Sequence, residues 1–192
     1  MTLRNLWRLC PLLTALLLCA FEVTAQRPTP ASINSYASQI DRFARQHRAR
    51  VFANIFSESE DEQANWREFK NAKDLENSGV AFAEQADVWL QGTNPVRASI
   101  TIATTSGDWV QDIDYYFRED GTIAKIRSQL NTFHGNVSVI KEKYFDTTGT
   151  LLRTTTRVLD LKSRKRSRSR DYMDQEIPFY RRAQELPFYK LL

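Results

Sequence analysis

Val96-Arg97-Ala98-Ser99-Ile100-Thr101-Ile102-Ala103, and after it Trp109-Val110-Gln111-Asp112-Ile113-Asp114-Tyr115-Tyr116-Phe117, decide the fold. Val96, Ala98, Ile100 and Ile102 take every second place. Trp109, Ile113, Tyr115 and Phe117 do the same against Asp112, Asp114 and Arg118. A period of two is that of a strand with one buried face. Outward from this pair the rhythm continues, with Ala124, Ile126 and Leu130 against Lys125, Arg127 and Gln129. Turn chemistry separates the runs: Thr93-Asn94-Pro95, Ser106-Gly107-Asp108, Glu119-Asp120-Gly121, His134-Gly135-Asn136 and Thr147-Thr148-Gly149. The spacing predicts strands near 80–91, 96–104, 108–118, 122–133, 137–146 and 150–161. Connections this short permit only antiparallel neighbours, hence a meander.

Upstream of Gly79 the period is helical. Ile33, Tyr36, Ile40, Phe43, His47, Val51 and Ile55 form one stripe, which predicts a long amphipathic helix from Ser32. Glu58-Ser59-Glu60-Asp61-Glu62 breaks it. A shorter helix is expected over Gln63–Leu75, with Trp66, Phe69 and Lys73 on one face and Asn77-Ser78-Gly79 at its end. The expected fold is therefore α+β: a long N-terminal helix and a short one packed on a six-stranded antiparallel meander sheet, open or half-barrel. In element order it resembles the cystatin-like and NTF2-like folds and the half-barrel lipoprotein carriers of the periplasm; the likeness implies a scaffold and no activity.

The chain of 192 residues opens on Arg4 and Arg8, an apolar run from Leu9 to Phe21, and Val23-Thr24-Ala25. That order is the pattern of a cleaved secretory signal over 1–25. The run is shorter than the ~20 apolar residues of a membrane span, and no second one follows. A lipoprotein reading of Cys19 lacks the small residue expected before it, since Leu18 stands there. Both cysteines, Cys10 and Cys19, fall in the signal, so the expected mature chain carries no disulfide. The location expected is periplasmic or secreted. Asn136-Val137-Ser138 fits a glycosylation acceptor, which matters only in a eukaryotic secretory route.

Beyond the signal the chain divides into a stiff leader at 26–31, a single domain at 32–161, a basic linker at 162–175 and a tail at 176–192. Gln26–Val110 carries 9 Lys/Arg against 11 Asp/Glu, whereas Gln111–Leu192 carries 16 against 11. Most of the excess lies in Lys162-Ser163-Arg164-Lys165-Arg166-Ser167-Arg168-Ser169-Arg170. Such a run reads as a solvated linker or as a patch for anionic lipid headgroups or cell-wall polymers. Nucleic acid is not expected, because no aromatic platform is interleaved and the chain is read as exported. In the tail, Glu176-Ile177-Pro178-Phe179-Tyr180-Arg181 returns as Glu185-Leu186-Pro187-Phe188-Tyr189-Lys190. Proline favours an extended path, and paired aromatics need a groove, either on the chain's own domain or on a partner. A second repeat, Tyr116-Phe117 to Ile123 and Tyr144-Phe145 to Leu151, marks two similar glycine hairpins.

No nucleophile elbow, phosphate loop or HExxH occurs, and no cofactor or metal is expected. His47, on the helix stripe, should face the sheet as a core residue, the alternative being a general base. Asp112 and Asp114 share a strand face and read either as its solvent side or as partners of Lys125 and Arg127 on the next strand. Ser128, Thr154 and Thr156 could line a small polar pocket, or the threonines could simply suit an edge strand. The reading is of an exported, non-enzymatic binding or accessory protein. Its expected contacts to an unknown protein partner or an anionic envelope surface are Arg164, Lys165, Arg166, Arg168 and Arg170, with Pro178, Phe179, Tyr180, Pro187, Phe188 and Tyr189. His47, Ser128, Thr154 and Thr156 are its candidate ligand contacts. The alternatives are a periplasmic carrier holding a lipid or another apolar small molecule between helix and sheet, and a hydrolase built around His47 or Asp112.

Overall fold

The computed structural model describes residues 27–56 and 65–192. The signal expected over 1–25 and the acidic run 58–62 lie outside them. Helix α1 spans Pro30–Gln46. It starts two residues before the expected Ser32, because Thr29 caps it: the Thr29 hydroxyl accepts from the Ser32 N–H at 3.2 Å, and the Thr29 N–H donates to Ser32 Oγ at 2.9 Å. This reciprocal box, with Pro30 at the first helical position, fixes the start.

The sheet has eight strands, all pairs antiparallel: β1 (Arg50–Ile55), β2 (Trp66–Phe69), β3 (Phe82–Gln91), β4 (Asn94–Ala103), β5 (Trp109–Phe117), β6 (Ile123–Thr132), β7 (Val137–Phe145) and β8 (Leu151–Asp160). Their order is β2-β1-β3-β4-β5-β6-β7-β8, so β1 sits between β2 and β3 and the sheet is open. Helix α2 covers Ala72–Ser78, capped by Asn71 and stopped by Gly79 in the left-handed conformation.

This corrects the expected six-stranded sheet with a long helix. The helix ends at Gln46, and residues 50–55 are a strand. Steps of four from His47 to Val51 to Ile55 satisfy a period of two as well as one of 3.6. Trp66 and Phe69 are also strand residues, not one face of a helix. Three apart on a strand, they point to opposite sides: Trp66 to Phe188, Phe69 to Val51 and Leu75. Both sides of this edge are covered, so alternation disappears from its sequence.

A second correction concerns the cover. The helix was expected on the apolar face, yet α1 crosses the opposite one. There Ile33, Ala37 and Ile40 seat directly on Val96, Tyr116, Ala124 and Tyr144. The apolar face, with Phe52, Val88, Ile100, Ile113, Tyr115 and Ile126, is covered by the C-terminal tail through Ile177, Ala183, Leu186 and Phe188. The protein is thus layered as helices, sheet and an irregular strap.

The strap is pinned by backbone hydrogen bonds. Ile123 N–H donates to the Arg181 carbonyl, and Ala183 N–H to that of Gly121, both at 2.9 Å. The two repeated hairpins have the same geometry: Gly121 and Gly149 both have φ of +79°, and each donates its N–H back three residues, to Arg118 and Asp146. The strap crosses both. A Cβ on Gly149 would come within 2.8 Å of Arg181 Cγ.

Candidate functional site

The face under α1 holds a polar layer. Arg97 donates to Asp114 at 2.7 Å, lies 3.5 Å from Asp41, and stacks over the Trp89 ring with its centroid at 4.7 Å. Arg127 reaches the other Asp114 oxygen at 3.4 Å. Lys125 donates to Glu142 and to Asn34, both at 2.7 Å. Burial pushes the Glu142 carboxyl up, but the hydrogen bond and charge of Lys125, with Arg157 beyond, outweigh it and hold the group below its ordinary value. Burial raises Asp87, which has no such partner close enough to reverse it. Asp112 accepts from Thr101 at 2.8 Å. These pairings tie the network to itself, which is the behaviour of a structural layer. Among the described residues no group of three metal-ligating side chains is present.

The four candidate ligand contacts do not meet. His47 is corrected from core to surface: it caps the C-terminus of α1, exposed, its ring stacked on Phe43 at 3.9 Å. Its Nδ1–H donates to the Phe43 carbonyl at 2.9 Å, and its own carbonyl accepts from Trp89. Ser128 is buried under the strap and accepts from Gln111 at 2.9 Å. Thr154 and Thr156 share its side of the sheet, but they stand exposed on the edge strand β8.

The tail residues divide. Phe188 is fully buried between Phe52 and Trp66, so as a partner contact it is corrected to a core residue. Tyr180 packs on Tyr115, whose hydroxyl donates to the Pro178 carbonyl at 3.0 Å. Tyr189 is half-buried against the same core, and Pro187 lies exposed beside it. Phe179 stacks on Phe145 but remains 47 % exposed. The carbonyls of Leu191 and Leu192 accept from the Arg50 guanidinium, each at 2.7 Å.

The basic run keeps its cations outward. It begins with a turn in which Arg164 has φ of +59° and its N–H donates to the Asp160 carbonyl at 3.0 Å. The chain then doubles back on β8: Asp160 N–H donates to Lys165 O and Ser167 N–H to Val158 O, both at 2.8 Å. Lys162, Arg164, Lys165, Arg166, Arg168 and Arg170 are all exposed, while Ser167 and Ser169 between them are half-buried. That alternation is the signature of an extended segment, so three arginines repeat at ~7 Å along one side. None of the six is in an ion pair among the described residues. With Thr156, Val158 and Tyr172, the segment from Arg166 to Arg170 lines an open hollow of about 810 Å³.

Beside it lies a feature that sequence reasoning missed. Asp108, Trp109, Thr132, Phe133, His134 and Met173 line a hollow of about 500 Å³. Phe133 is 72 % and Met173 63 % exposed. The available signal was Phe133 directly before the His134-Gly135-Asn136 turn; the fold alone brings Met173 to it. No protein-family model, no curated protein and no solved structure matches this chain.

Proposed function

We propose that this chain is an exported, non-enzymatic binding protein that engages a polyanionic surface or polymer through its basic arm, residues 162–170. One observation carries the reading: six exposed cations, without ion pairs among the described residues, held on a segment that hydrogen-bonds to β8. A flexible basic tail would lose conformational entropy on capture; an arm already pinned to a sheet edge loses less. The N-terminal pattern of 1–25 supports export. No helix of the described residues is long and apolar enough to cross a membrane.

The test uses soluble polyphosphate as the probe. Binding should weaken steadily with added salt. Changing Arg166, Arg168 and Arg170 together to Ser should weaken it by about fivefold for each cation removed. Thermal unfolding should be unchanged, since all three are exposed. A variant that binds as tightly as the parent overturns the reading.

A further inference from the structure

The same end of the sheet carries apolar knobs as well as cations. Phe133 closes β6 with its side chain in solvent, and the turn after it is locked to two other segments. Leu161 N–H donates to the Asn136 carbonyl at 2.9 Å, and Asn136 Nδ2 donates to Asp160 at 3.3 Å, tying the turn to the root of the basic arm. On its other side the backbone of Asp171 presses on Gly135 so closely that a Cβ there would lie 1.9 Å from the Asp171 carbonyl oxygen. His134 Nε2 lies 3.4 Å from the Asp171 carboxylate. Tyr172 then anchors on Leu130, Val139 and Val158. Met173 is therefore delivered beside Phe133 and Trp109 by rigid contacts on both sides.

Exposed Phe and Met side by side cost free energy in water, and nothing in the strap covers them. The exposed cations Lys162, Arg164, Lys165, Arg166, Arg168 and Arg170 lie on the arm that leaves this end, and none is in an ion pair among the described residues. Of the acids next to Met173, Asp174 is paired with Lys141 and Asp171 faces His134. Apolar knobs beside a basic arm match an anionic bilayer, where the knobs enter the boundary between headgroups and acyl chains and the cations meet the phosphates.

We propose that this end of the sheet docks peripherally on an anionic lipid bilayer, with Phe133 and Met173 inserted and the basic arm on the headgroups. The inference builds on the polyanion reading and narrows its target to lipid. A soluble polyanion would use the arm and leave the knobs idle, which separates the two.

The experiment compares vesicles of phosphatidylcholine alone with vesicles containing phosphatidylglycerol, by co-sedimentation and by tryptophan fluorescence, to which Trp109 contributes beside Trp66 and Trp89. The protein should sediment with the anionic vesicles only, with a blue shift in emission. Phe133→Ser with Met173→Ser should weaken that partitioning at least tenfold while polyphosphate binding stays unchanged. Leu151→Ser, an exposed leucine at the opposite end of the strands, is the comparator and should partition like the parent. The inference is overturned if the double variant partitions like the parent, or if Leu151→Ser loses as much. Polyphosphate binding without any vesicle binding overturns the lipid target and leaves the polyanion reading intact.

Discussion

Phe188 stacks on Phe52 with ring centroids 5.2 Å apart and planes 9° from parallel. The last residues of the chain thereby close a core begun by its first strand. Trp66 meets the same ring edge-on at 4.9 Å, and Arg50 ties the carbonyls of Leu191 and Leu192 to β1. The strap is part of the fold, and its second Pro-Phe-Tyr copy is an internal anchor.

Phe188→Ala should therefore destabilise the protein by about 3–5 kcal/mol, the cost of emptying a packed aromatic site. Phe179→Ala, half in solvent on Phe145, should cost less than half as much. Urea unfolding of the two variants checks this. A change below about 1 kcal/mol at Phe188 would show that the strap can leave without unfolding the sheet, and equal losses would overturn the distinction between the two Pro-Phe-Tyr copies.

A pair of glycines separates backbone strain from contact. Gly107 and Gly135 have nearly the same φ, +73° and +72°. Nothing lies within 4 Å of a Cβ built on Gly107, whereas one on Gly135 would meet the Asp171 carbonyl oxygen. Gly107→Ala should cost about 1–2 kcal/mol, the left-handed penalty alone. Gly135→Ala should cost clearly more, because the strap must lift away from the turn. Similar losses in the two variants by chemical denaturation would refute the close approach of the strap to this turn.

Where one face of a strand meets a cover and the other does not, the sequence alternates. β3 to β7 keep a period of two on the strap side, although α1 covers part of the other face of β4 to β7. Each ends on a glycine turn, so their runs could be read directly; β8, an exposed edge, ends instead in the turn through Arg164. β1 lies between α2 and the strap. Val51, Phe52 and Ala53 are all buried, alternation is lost, and the run merged with the helical stripe before it. The location of the cover was illegible for another reason. Alternation says that Ile100, Ile113 and Ile126 share a face, but not which segment lies on it. Helix α1 is amphipathic enough to be chosen, yet Tyr116 and Tyr144 offered it an apolar seat on the other side. The Pro-Phe-Tyr repeat announced a groove without saying whose. The hollow at Phe133 and Met173 joins residues with no shared motif, so only the folded chain reveals it.

The Lys125–Glu142 pair gives the protein a readable acid dependence. Lys125 is nearly buried, and its ammonium is held by Glu142, by Asn34 and over the Tyr144 ring at 5.3 Å. Glu142 sits below its ordinary value of 4.5 in the folded protein. A carboxyl depressed on folding stabilises the native state above its unfolded pKa, and that contribution is lost as the pH falls through the folded value. Glu142→Gln removes the charge and leaves Lys125 with a neutral partner. At pH 7 the variant should be less stable by about 2 kcal/mol, a figure reduced from that of a fully buried pair because Glu142 keeps some contact with water. The gap between variant and parent should then shrink as the pH is lowered past 4.5, since the parent loses the same charge by protonation. Unfolding free energies measured from pH 7 to pH 3 test this directly, and a gap that stays constant over that window would remove Glu142 from the stabilising network.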